Sequence, residues 1–109
     1  MMIEKFFTPK EANQILPDIK KIVDEILLKA NEGPAGALRI KVLMAQLEEM
    51  GCYYKDWNFE IGLVDFPAII HGQEALLCWR SDEPEVAWFH GYEEGFAGRR
   101  PVTRELIFS

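Results

Sequence analysis

Three side chains of metal-ligand type, Asp65, Cys78 and His90, fall within the stretch from Gly62 to Arg99, which also holds most of the chain's unusual residues. A thiolate, an imidazole and a carboxylate together suit Zn²⁺, Fe²⁺ or another divalent ion, with one coordination position left open. Their spacing fits no tight metal motif. A plainer set of roles stands beside this one: Cys78 as a small buried hydrophobe, Asp65 capping a bulge at Pro67, and His90 as a hydrogen-bonded core residue. Cys78 and His90 also have the residue types of a nucleophile and its base, but nothing around Cys78 resembles a nucleophile turn or an oxyanion-hole loop.

A second constellation is cationic. Gly95-Phe-Ala-Gly98 followed by Arg99 and Arg100 offers flexible backbone N–H groups and two guanidinium forks, which is a way to hold an anion. With Arg80 and Glu83 these are the candidate ligand- or anion-binding residues. The pattern lacks the lysine and the strand-to-helix context of a phosphate loop. The alternative is that the arginines pair with nearby carboxylates, of which Glu83, Glu85, Glu93 and Glu94 are at hand. Trp57, Trp79, Trp88, Phe89, Tyr92 and Phe96 are read as core and rim, or as an interface where they stay exposed.

The elements that must position these groups are legible from the N-terminus. Thr8-Pro9-Lys10-Glu11 is a capping box with proline at the first helical position, and Phe6 and Phe7 stand ready to pack back on the first turns. Ile15, Ile19, Ile22, Val23, Ile26, Leu27 and Ala30 then form one apolar helical stripe. Pro17 predicts a kink, or a short helix 8–16 abutting a second one. Gly33-Pro34 ends this element. A second helix runs over about 35–50 with Ile40, Leu43, Met44, Leu47 and Met50 on one side, and Gly51 stops it. The two form a helical hairpin.

After Gly51 the apolar period falls to two. Residues 52–56 read as a first strand, 57–61 as its turn, and 62–70 and 73–80 as two strands joined by His71-Gly72. Counting outward from that turn sets Asp65 opposite Cys78, Phe66 opposite Leu77 and Leu63 opposite Arg80. Val64, Phe66, Ala68, Ile70, Ala75, Leu77 and Trp79 then share one face, assigned to the helices, while Asp65, Cys78 and Arg80 share the other. Pro67 predicts an edge strand or a bulge. A four-residue loop after Arg80 makes 85–90 a third strand, with Arg80 opposite Glu85, Trp88 opposite Leu77, and His90 on the apolar face beside Ala75. Residues 91–109 carry no readable pattern beyond glycine, the basic pair Arg99 and Arg100, and the apolar Leu106-Ile-Phe108. The expected fold class is α+β: an N-terminal helical hairpin packed on one face of a small antiparallel sheet of three or four strands.

Several of these segments together resemble the DUF2203 family, an uncharacterised family of bacterial and archaeal proteins. They are Phe7-Thr-Pro, Glu11-Ala-Asn13, Leu16-Pro17, Lys55-Asp56, Gly62-Leu-Val-Asp-Phe-Pro-Ala68, Leu77-Cys-Trp-Arg80, Glu83-Pro-Glu85, His90 and Gly95-Phe-Ala-Gly-Arg99. The resemblance implies no activity. Two positions depart from it: Asp82 stands where glycine is expected before Glu83, and Phe89 stands where tryptophan is expected before His90, the tryptophan lying one place earlier at Trp88. The helical hairpin is also shorter than is usual.

Length and composition bound what remains. With 109 residues, 49% of them apolar, the chain is expected to be one domain, spanning 1–109, with a real core. A net charge of −6 and a pI near 4.9 disfavour nucleic acid and anionic membranes. No apolar window approaches the length of a membrane span, and no signal-like segment opens the chain, so the expected setting is cytoplasmic, with Cys52 and Cys78 as free thiols. The expected role is a binding or self-associating module, homo-oligomeric, with an unknown protein or small anion as partner. The alternative is a small metal- or anion-dependent enzyme built on the polar cluster, with Zn or Fe as the implied cofactor.

Overall fold

The computed structural model describes residues 5–55 and 59–104. Helix α1, Pro9–Ala30, starts on the capping box: Glu11 N–H donates to Thr8 Oγ1 at 3.1 Å and Thr8 N–H to Glu11 Oε1 at 2.9 Å. Pro17 lies inside this helix and does not divide it. The expected break is absent because Pro17 is on the exposed side, where the carbonyl four residues back can turn to water once it loses its donor. A 3₁₀ turn, Gly33–Gly36, leads into α2, Ala37–Glu49, which begins two residues later than the sequence suggested. Gly36 is required there, since a Cβ would sit 2.1 Å from the Lys29 carbonyl oxygen.

The sheet has five antiparallel strands in sequence order, rather than the expected three or four: β1 Tyr53–Tyr54, β2 Leu63–Ile70, β3 Gln73–Arg80, β4 Trp88–His90 and β5 Arg100–Pro101. The β2–β3 hairpin has the register counted from its turn, Asp65 opposite Cys78 and Phe66 opposite Leu77. That turn has positive φ at both His71 (52°) and Gly72 (78°), the geometry that a two-residue hairpin favours. Pro67 introduces neither bulge nor edge. It pairs regularly with Leu76, and its carbonyl accepts from Phe7 N–H at 2.7 Å. The side of the strand where its donor is missing therefore faces the N-terminal segment, and no ladder bond is lost.

One core fills the space between helices and sheet. Leu16, Ile19, Val23 and Ile26 of α1 and Ile40, Leu43 and Leu47 of α2 meet Val64, Phe66, Ala68, Ile70, Ala75, Leu77 and Trp79, with Phe7 set edge-on to Phe66. Among the described residues no helix is long and apolar enough to cross a membrane. Trp57, read from sequence as core or rim, and the apolar Leu106-Ile-Phe108 lie outside the described residues.

The third strand of the sequence reading is displaced by one residue. Cys78 faces Trp88 and Leu76 faces His90, so Trp88 does not face Leu77 and Arg80 does not face Glu85. The cause is Asn13, on α1. Its side-chain amide accepts from Val86 N–H at 2.7 Å and donates to Val86 O at 3.0 Å, taking the place of a neighbouring strand. Pairing with β3 resumes only at Trp88. A one-residue slip moves every side chain of a strand to the other face, and it moves His90 off the helix-facing side.

Candidate functional site

The slip carries His90 onto the face that holds Asp65 and Cys78. These two are Cα partners across β2 and β3, and His90 on β4 sits diagonally beyond Cys78, within reach of a long side chain. One ligand atom from each of the three lies within 4.8 Å of the others. All three residues are buried, at 4%, 2% and 4% exposure. The sheet thus buries carboxyl, thiol and imidazole together on the side away from the helices.

Two contacts orient the histidine. Nδ1 is 2.8 Å from the Gly91 carbonyl oxygen, which can only accept, so Nδ1 carries the proton. In the neutral ring Nε2 then presents a lone pair towards Asp65 Oδ1, 3.3 Å away. A lone pair and a carboxylate oxygen at that range repel unless a proton or a cation lies between them. Burial pushes the Asp65 carboxyl above the ordinary range, against the opposing influence of His90. Burial, reinforced by the Asp65 charge, pushes the Cys78 thiol up to about 12. Without a metal, a proton held by the Asp65 carboxyl can lie between Oδ1 and Nε2, and the Cys78 thiol keeps its own.

The separation of imidazole and carboxylate also suits an ion. Two ligand atoms at about 2.0–2.1 Å from a tetrahedral Zn²⁺ stand about 3.3 Å apart, which is the Nε2 to Oδ1 distance observed. A backbone carbonyl on the far nitrogen of a ligating histidine is the usual means of fixing its tautomer.

The candidate anion residues fall into two groups. Arg80, Glu83 and Arg99 come together at the end of β3. Glu83 accepts both Nη1 and Nη2 of Arg99, at 2.7 and 2.8 Å, and the backbone N–H of Arg80 at 2.7 Å. Arg99 Nη2 also donates to the Cys78 carbonyl at 3.1 Å, and its guanidinium packs on Trp88 and Phe96 with centroids at 4.9 and 4.6 Å. Its Nε is buried without a hydrogen-bond partner. The Arg80 guanidinium is held by Asp82, the residue standing where the family resemblance leads one to expect glycine. Glu85, expected opposite Arg80, instead meets Arg104. Arg100 stands apart, on Glu94 at the surface. Every one of these guanidinium groups is engaged by a carboxylate of the chain, so an anion would have to compete for it.

Sequence reasoning missed the roles of three contributors. Asn13 sets the register of β4; an asparagine facing inwards from a helix was the available signal, because such an amide seeks backbone partners. Trp88 lies beneath Arg99 on the polar side of the sheet. Gly91 supplies the carbonyl that orients His90, and as a backbone contribution it leaves no trace in residue type.

The family model for an uncharacterized conserved protein, DUF2203, matches residues 29–102, more than half of the chain. The chain belongs to the DUF2203 family. All three candidate ligands, together with Arg80, Glu83, Arg99 and Arg100, lie inside the matched region, whereas Asn13 precedes it. No curated protein and no solved structure matches this DUF2203 chain.

Proposed function

We propose that this member of the DUF2203 family is a metal-binding domain whose centre is Asp65, Cys78 and His90. The observation that carries this is the convergence of the three buried ligand types from three adjacent strands, with the imidazole already oriented by Gly91 O. The donor set favours a borderline ion such as Zn²⁺ over Mg²⁺ or Ca²⁺, which prefer all-oxygen sites. Thiolate and carboxylate neutralise a divalent charge, so the filled centre is electrically neutral and inexpensive to bury. Three protein ligands leave a fourth position for water or substrate, the arrangement of catalytic rather than structural zinc sites. A reducing setting such as the cytoplasm keeps Cys78 available as a ligand.

The test is metal content and cobalt substitution. Protein purified without added metal should contain about one zinc or iron per chain by plasma emission, or take up one Co²⁺ with a thiolate charge-transfer band. His90→Ala and Cys78→Ser should each abolish uptake. Metal-free protein in which Co²⁺ gives no thiolate band would leave the cluster as a proton-sharing core network.

A second role, self-association, is favoured by the outer surface of the helical hairpin. Leu38 and Val42, one turn apart on α2, are 77% and 44% exposed, and Leu28 on α1 is 61% exposed. This role is compatible with the first.

A further inference from the structure

We infer that Arg99 is a positioning residue that sets the affinity of the metal centre without touching the ion; this rests on the metal-binding role proposed above. Its guanidinium joins the two strands that supply sulfur and imidazole. Nη2 holds the carbonyl of Cys78 itself, at 3.1 Å. The flat face rests on Trp88, which is the Cα partner of Cys78 and stands two residues before His90. Glu83 locks the guanidinium with both carboxylate oxygens and takes the Arg80 N–H as well, so the end of β3, the following loop and Arg99 form one unit. The Arg99 and Glu83 side chains are only 11% and 19% exposed, which keeps this unit from exchanging freely with water.

A tetrahedral ion tolerates little error in ligand position, and the partners behind the ligands govern how well they hold it. Only a planar fork can bond two carboxylate oxygens and a carbonyl while stacking on an indole; a lysine ammonium keeps the charge and loses the geometry. Arg99→Lys therefore separates the two contributions. Arg100, one residue away, pairs with Glu94 at the surface and lies over Phe89 of β4; it does not bridge the sulfur and imidazole strands as Arg99 does, and it is the control.

The experiment measures Co²⁺ affinity and the visible absorption of the Co²⁺ form for wild type, Arg99→Lys, Glu83→Gln and Arg100→Gln, beside far-UV circular dichroism of each metal-free protein. Arg99→Lys should bind Co²⁺ about 10–100-fold more weakly, the range typical of outer-shell partners, with shifted ligand-field bands. Glu83→Gln, which leaves Arg99 in place and loosens its anchor, should move the same way, and it decides the matter if Arg99→Lys does not fold. Arg100→Gln should bind as wild type does. A wild type that binds Co²⁺ and an Arg99→Lys that binds it equally, with the same spectrum, overturn the role of Arg99 and leave the metal centre standing. A wild type that gives no Co²⁺ spectrum overturns both.

Discussion

At the residue scale, Cys52 and Cys78 are both free and buried, yet their surroundings differ. Cys52 donates to the Leu47 carbonyl and meets only core, and burial pushes its thiol up to about 12. Cys78 reaches a similar value beside a carboxyl and an imidazole. Thiolate is the reactive form, so neither cysteine should react with iodoacetamide at pH 8 in the native protein, and both should react in urea; mass spectrometry of the alkylated peptides checks this. The same proton must leave Cys78 before a metal can bind. Its loss becomes easier as pH rises, so apparent Co²⁺ affinity should climb with pH, by about tenfold per unit for each proton displaced. Titrations at pH 6, 7 and 8 read that slope. An affinity independent of pH would mean that the sulfur is not a ligand. The chemistry-bearing residues themselves were legible from type alone. Their convergence was not, because the parity of one strand decides whether His90 joins Asp65 or the core.

At the scale of the element, the β2–β3 hairpin could be read to the residue because a two-residue turn fixes its register, and both faces followed from it. Trp79 tests that face assignment. It is fully buried against the helices, with Nε1 donating to the Glu83 carbonyl at 2.9 Å. Trp79→Ala should cost about 3–5 kcal/mol, measured by chemical denaturation; an unchanged midpoint would place the side chain elsewhere. Strand β4 escaped because the length of its loop is set by a contact with Asn13, 73 residues away in the chain, which no local pattern encodes. Asn13→Ala strips Val86 of both partners and should cost about 1–3 kcal/mol. If the metal centre depends on the register of β4, the same substitution should weaken Co²⁺ binding, although Asn13 lies on the opposite side of the sheet. A variant that is destabilised yet binds Co²⁺ as wild type does would show that the rest of β4 holds its own register. The break expected at Pro17 came from the proline's local effect without regard to which side of the helix it occupies.

Across the whole molecule, an exposed edge strand at Pro67 would have been one ground for association. That ground is gone, since β2 is flanked by β1 and by Phe7. The apolar outer surface of the helices remains, and sedimentation velocity should show a dimer at micromolar concentration that Leu38→Glu converts to monomer. A wild type that sediments as a monomer when concentrated removes the idea. Any such pairing runs through helices, because the sheet is closed to it at both sides. The outermost strands, β1 and β5, are two residues long; β1 is followed by Lys55, and β5 consists of Arg100 and Pro101, which has no N–H to offer. Short, charged and proline-bearing edges give an incoming chain no template on which to continue the ladder. Strand β3 carries an unbroken, proline-free apolar run from Ala75 to Trp79, the kind of segment that seeds fibrils when its flanks are bare. The two small outer strands therefore act as guards against templated polymerisation, and Pro101→Val should shorten the lag before thioflavin-positive aggregates form at 37 °C.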